Sequence, residues 1–160
     1  MEYIENVRSQ LLEEVEPVPE ADWNIKTDAT DWSVAQVVEH LRLFEAFVGR
    51  SMKSALETEP TTRAEEKPIQ MMKYRRRPAE APQELQPEDM EFNKQTLLEE
   101  LQETRNYIRH LEERHTSEDL AARSISHPNF GPMPLHQWLE MIGLHEERHI
   151  AQIQDIKAKL

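Results

Sequence analysis

Apolar residues recur at helical spacing in four stretches of the chain. In the first, Ile4, Val7, Leu11 and Val15 follow one another at three or four residues until Pro17 and Pro19 interrupt them, the pattern of a short helix with one buried face. The second opens on a start signal: Ser33 is placed to cap the amide of Gln36, Gln36 to reach back and complete a capping box, and Trp32 to staple onto Val37. Val34, Val37, Leu41, Phe44, Val48 and Met52 then make one stripe that ends near Glu57, before Pro60. The third runs from about Glu91 to His115, with Lys94, Leu98, Leu101, Arg105, Ile108, Leu111 and Glu112 along one partly polar side. The fourth begins with Pro134 in its first turn, a favoured place for proline, and continues towards Leu160 with Trp138, Ile142, Ile153, Ile156 and Leu160 in one sector.

Between the second and third stretches, residues 58–89 hold five prolines, at 60, 68, 78, 82 and 87, with mixed charge and little periodicity. No stretch reads as a strand. Four helices, with a connection of this length between the second and third, predict an all-α fold: a four-helix bundle with a long crossover. Residues 1–160 suit one domain, long enough to bury a core without staples.

Charge changes the picture of partners. The formal net charge of -12 opposes binding to phosphate backbones and to anionic membranes, so neither nucleic acid nor a membrane surface is an expected partner. The basic run Lys73-Tyr74-Arg75-Arg76-Arg77 is short, sits in the proline-rich loop and reads as a solvated segment. The first residues lack the basic start and apolar run of a secretory signal, and no window approaches the ~20 apolar residues of a membrane span, so a cytoplasmic protein is expected. There is no cysteine, so any thiol chemistry needs a thiol from a small molecule.

The strongest chemical signal is in the fourth helix. His145 and His149 fall inside its apolar sector, one turn apart, with Cβ atoms ~5–6 Å from each other, close enough to share a metal ion. Two unliganded imidazoles in an apolar core would otherwise need hydrogen-bond partners for their ring nitrogens, as many core histidines have. A third ligand should come from another helix. His40 is the best candidate, beside Val37 and Phe44 and about two turns beyond the Ser33 cap. His110, His115, His127 and His136 lie among charged residues, at a helix start or in a turn, and read as surface residues.

Three motif readings compete. His145-Glu146-Glu147-Arg148-His149 matches the H-E-x-x-H of zinc peptidases, with Glu146 as general base, but the chain leaves little room for a downstream third ligand and shows no strands to hold a peptide. Glu112-x-x-His115 and Glu146-x-x-His149 match the E-x-x-H pairs of di-iron bundles, which also need an inward glutamate on each of the other two helices. Glu39 and Glu45 are the possibilities on the second helix.

The third reading is a family resemblance. Trp32-Ser33-Val34-Ala35-Gln36-Val37-Val38-Glu39-His40-Leu41 resembles the W-S-x₆-H-L start of the second helix in the DinB-like family, which includes the YfiT group. His127-Pro128-Asn129-Phe130-Gly131, Trp138-Leu139 and His145 to Ile153 resemble that group's HP-x-F-G motif and H-x₃-H helix, and Ala81 to Pro87 resembles one of its loop elements. The resemblance covers most of the chain in order. It implies one divalent metal ion, zinc or nickel with iron or manganese as alternatives, on His40, His145 and His149. It also implies a small-molecule substrate and a homodimer. Members include S-transferases that use bacillithiol or a similar low-molecular-weight thiol, and a mycothiol-dependent isomerase. The expected function is therefore a metal-dependent, thiol-dependent S-transferase. The alternatives are a metal-dependent hydrolase, with Glu146 as a base if it turns inward, and a non-catalytic bundle acting in interaction or dimerisation.

Overall fold

The computed structural model describes residues 1–29, 31–74 and 81–160. Its long helices are α1 (Glu2–Val15), α3 (Val34–Leu56), α4 (Lys94–Glu113) and α6 (Leu135–Lys157); the shorter α2 (Glu20–Trp23) and α5 (Ser117–Ala121) lie between them. The four long helices form the bundle, α1 against α6 and α3 against both α4 and α6. The crossover from α3 to α4 carries two 3₁₀ turns, Ile69–Lys73 and Gln83–Leu85, and the first of these packs on α6. Arg75 to Arg77 of the basic run lie outside the described residues.

Local chemistry explains where α3 begins. Ser33 Oγ accepts from the Gln36 amide at 3.1 Å and Gln36 Oε1 accepts from the Ser33 amide at 3.1 Å, so the capping box forms on both sides. Gln36 Nε2 also donates to the Glu88 carbonyl, which ties the crossover to this helix start. Asn93 caps α4 by accepting from the Thr96 amide, so that helix begins at Lys94 rather than near Glu91.

Other features also differ from the sequence reading. The turn-rich stretch before α6 is an antiparallel two-stranded hairpin, β1 (Ser124–His127) with β2 (Gly131–Pro134), paired from Ser124 with Pro134 to His127 with Gly131. Gly131, at φ 68°, takes the left-handed conformation that this tight turn requires. Pro134 accordingly closes β2 and stands as the N-cap of α6, outside the helix rather than in its first turn. Short strands without an alternating pattern escape a reading based on periodicity.

The apolar interior is divided in two. One cluster gathers Leu11, Val15, Trp23, Val37, Leu41, Leu101 and Ile153. The other gathers Ile4, Val48, Ile108, Met133, Trp138, Ile142 and Leu144. Between them lies a layer of buried charge: Arg8 from α1, Glu45 from α3, Arg105 from α4 and Glu146 from α6, none more than 3% exposed.

Candidate metal centre

His40 lies on α3 and His145 and His149 on α6, and their rings meet between the two helices. One nitrogen from each ring lies within 4.8 Å of the other two. The nitrogens are the Nε2 atoms: His40 to His145 is 3.0 Å and His149 to His145 is 3.1 Å. Three nitrogens bound to one ion at ~2.0–2.1 Å stand roughly 3.0–3.4 Å apart, so these separations fit a single small divalent ion.

The outer nitrogens set the tautomers. His40 Nδ1 donates to the Leu85 carbonyl at 2.7 Å, and His149 Nδ1 donates to Gln152 Oε1 at 2.8 Å. Both Nε2 lone pairs therefore point inward, as metal-ligating histidines require. Crowded lone pairs repel unless a proton or a Lewis acid lies between them. Protonation is opposed: burial, and then the neighbouring His149 and His40, drive the His145 pKa well below its ordinary value. Burial likewise lowers that of His40, with Arg148 adding to the effect. His145 Nδ1 is buried without a hydrogen-bond partner. The donor set is thus three imidazoles, a type that suits a borderline divalent ion.

Aromatic rings wall the triad. Trp32 lies 5.0 Å from His40 and Phe44 4.2 Å from His145, centroid to centroid. Arg148 donates from Nη1 to the Tyr74 carbonyl of the crossover at 2.8 Å. Two surface hollows, of about 590 and 750 Å³, are lined by other residues, such as Arg50 and Arg123 in one and Tyr3 and Glu140 in the other. Donor convergence, not cavity volume, marks this site.

The other sequence candidates lie elsewhere. Glu146 does not turn toward the triad: its Oε1 accepts from Arg8 Nε at 2.8 Å, Arg8 Nη2 at 2.5 Å and Arg105 Nη2 at 3.1 Å. That removes the carboxylate which both the peptidase and the inward-base readings need. The di-iron reading fails for a related reason, since Glu45 and Glu146 face two arginines. Glu39 pairs with Arg42, and Glu112 lies beside the N-terminal amine. His115 Nδ1 donates to the Leu111 carbonyl, His136 meets Glu66, His110 is exposed, and His127 stacks between Phe130 and Trp138.

Sequence reasoning missed two residues. The Leu85 carbonyl reaches His40 only because the crossover folds back, and its one signal was the Pro82–Pro87 segment that resembles a family loop. Gln152 stands three residues after His149, a spacing that places it within reach on the same helix.

A bundle whose long crossover supports one of three converging histidines defines a class of helical protein with a mononuclear metal-binding geometry. The chain belongs to the DinB superfamily, which it matches over residues 3–153. The uncharacterized protein YuaE of Bacillus subtilis (strain 168) is 27% identical over 160 residues, which is 100% of this chain and 98% of that one. Among solved structures, the four-helix bundle protein TT2238 aligns with a TM-score of 0.65 at 17% identity, over 96% of this chain and 94% of its own. YfiT from Bacillus subtilis, described as a probable metal-dependent hydrolase with an unusual four-helix bundle topology, aligns with a TM-score of 0.65 at 22% identity, over 98% of this chain and 83% of its own.

Proposed function

We propose that this chain is a metal-dependent enzyme in which a divalent ion on His40, His145 and His149 activates a low-molecular-weight thiol for attack on a small electrophile. One observation carries the reading: three imidazole nitrogens converge, and among the described residues no carboxylate joins them. When bound, a zinc or nickel ion, or alternatively iron or manganese, acts there as a Lewis acid that lowers the pKa of whatever coordinates it. Neutral ligands leave the ion's charge undiminished, which strengthens that effect. A thiol, with an ordinary pKa of ~8.5, would give up its proton to solvent more readily beside such an ion, without a protein base, and bond formation from its sulfur to the electrophilic carbon would expel the leaving group with the bonding pair. Glu146 is committed to arginines, and this arrangement does not need it.

The residues of the chain supply orientation. Leu85 and Gln152 hold two imidazoles in the ligating tautomer. Trp32 and Phe44 screen the site from water. No helix among the described residues is long and apolar enough to cross a membrane. A small-molecule substrate, a cytoplasmic setting and a homodimer belong to the same proposal.

A second reading, metal-dependent hydrolysis, is favoured by the description of the YfiT structure. Metal-loaded protein assayed with a panel of thiols and a generic electrophile, and separately with activated esters and amides, distinguishes the two. Metal-dependent conjugation supports thiol transfer, whereas thiol-independent hydrolysis at the same metal dependence supports the second reading. Neither reaction overturns both and leaves a binding bundle. His149→Ala should abolish the activity and lower the metal content; unchanged turnover would show that the ion is not catalytic.

A further inference from the structure

We propose that the buried Arg8, Glu45, Arg105 and Glu146 quartet is a positioning device for the histidine triad, fixing the register of α3 against α6 so that His40 meets His145 and His149. The inference rests on the reading of the triad as a metal site.

The quartet takes one residue from each long helix, in every case at the junction of the two apolar clusters. Arg8 lies between Ile4 and Leu11, Glu45 between Leu41 and Val48, Arg105 between Leu101 and Ile108, and Glu146 between Leu144 and Ile150. Both carboxylates stand on the helices that carry the histidines and both guanidinium groups on the helices that do not. Arg8 Nη2 reaches Glu146 Oε1 at 2.5 Å within the α1–α6 pair and Glu45 Oε2 at 2.7 Å across to α3. Arg105 Nε reaches Glu45 Oε1 at 2.5 Å within the α3–α4 pair, and its Nη2 reaches Glu146 Oε1 at 3.1 Å across to α6. Each arginine thus joins the two halves of the bundle. Each also clamps backbone of a further element: Arg8 Nη1 donates to the Leu101 carbonyl and Arg105 Nη1 to the Ile4 carbonyl. Thr104 Oγ1 adds a hydrogen bond to Glu45.

The triad bridges the same two halves, with His40 on one and His145 and His149 on the other. Apolar side chains tolerate sliding at small cost, whereas guanidinium groups whose N–H donors are divided between two carboxylates and a backbone carbonyl fit one register. A slip of α3 along α6 would break the two cross-contacts and separate His40 Nε2 from its partners together. Glu45 lies five residues after His40, and Glu146 directly follows His145, so little backbone separates the clamp from the ligands.

The test replaces only the α3–α4 members, Glu45→Met with Arg105→Met. The Arg8–Glu146 pair stays intact and the core neutral, while both cross-contacts are lost, and an exchange of this kind often leaves folding stability little changed. Cobalt(II) is the probe, its affinity read by titration and its coordination by visible absorption, with helicity followed by circular dichroism. The expected result is a folded chain with cobalt affinity weaker by about tenfold or more and an altered spectrum. Wild-type affinity and spectrum in the folded variant would overturn the proposal. If the double variant is not folded, Arg105→Lys is read by the same two criteria, because it keeps the charge and loses the two-pronged contact. Failure of the wild-type chain to take up cobalt would remove the metal reading itself, and with it anything to position.

Discussion

At the scale of single residues, the triad depends on atoms one step removed from it. Gln152 holds His149 through Nδ1, and the matching group on His40 is a backbone carbonyl, which no side-chain substitution deletes. Gln152→Leu should therefore keep the fold and weaken metal affinity by ~10-fold, the lower end of what outer partners of ligating histidines contribute; calorimetric titration with zinc measures it, and an unchanged constant would show that the hydrogen bond is incidental. Gly143 shows a different constraint. A Cβ there would sit 2.4 Å from a ring carbon of Tyr3, so α1 and α6 approach through this position. Gly143→Ala should displace the Tyr3 ring, which is 37% exposed, so that the ~1 kcal/mol alanine gains in a helix interior offsets the cost and denaturant unfolding shifts little; truncating Tyr3 in the same chain should leave a net gain.

At the scale of elements, α3 shows how a cap reaches the site. Its capping box is legible in Ser33 and Gln36, and His40 follows in the second turn. Ser33→Ala should lower stability by ~1 kcal/mol, read from the urea midpoint at constant m-value. A loss near zero would mean that the Glu88 contact of Gln36 holds the helix start alone. The crossover is the opposite case. Its prolines marked it as irregular, yet what it does depends on one turn, Gln83–Leu85, folding back onto α3. The hairpin before α6 was equally hidden, since four-residue strands rich in proline and serine carry no periodicity to detect.

At the scale of the whole molecule, protonation links the triad to stability. Burial depresses the pKa of His40 and of His145 below the ordinary 6.5, so between the folded values and 6.5 the unfolded chain binds more protons than the folded one. The metal-free protein should hold its full stability above about pH 6.5 and lose it progressively as the solution is acidified below that. Urea midpoints measured at pH 8 and pH 5.5 without metal test this, and a midpoint that does not fall on acidification would contradict it. Metal should raise the unfolding free energy at pH 8 by ~2.7 kcal/mol at a free ion concentration a hundred times the dissociation constant, read as a higher urea midpoint. That protection should fade in acid, as protons compete for the same nitrogens.

Periodicity by itself determined the four long helices, because an apolar stripe repeating every three to four residues has few other ways to be buried. The one-turn spacing of His145 and His149 placed both rings on one face for the same reason. Only tertiary structure decided which way Glu146 turns, since a single step along a helix rotates a side chain by about 100°, and residue 146 lies at the edge of the apolar sector. Its choice followed from Arg8 and Arg105, contributed by helices 138 and 41 residues away in sequence. Contacts of that range leave no local pattern, and so the buried charge layer and the Leu85 carbonyl appear only once the helices are brought together.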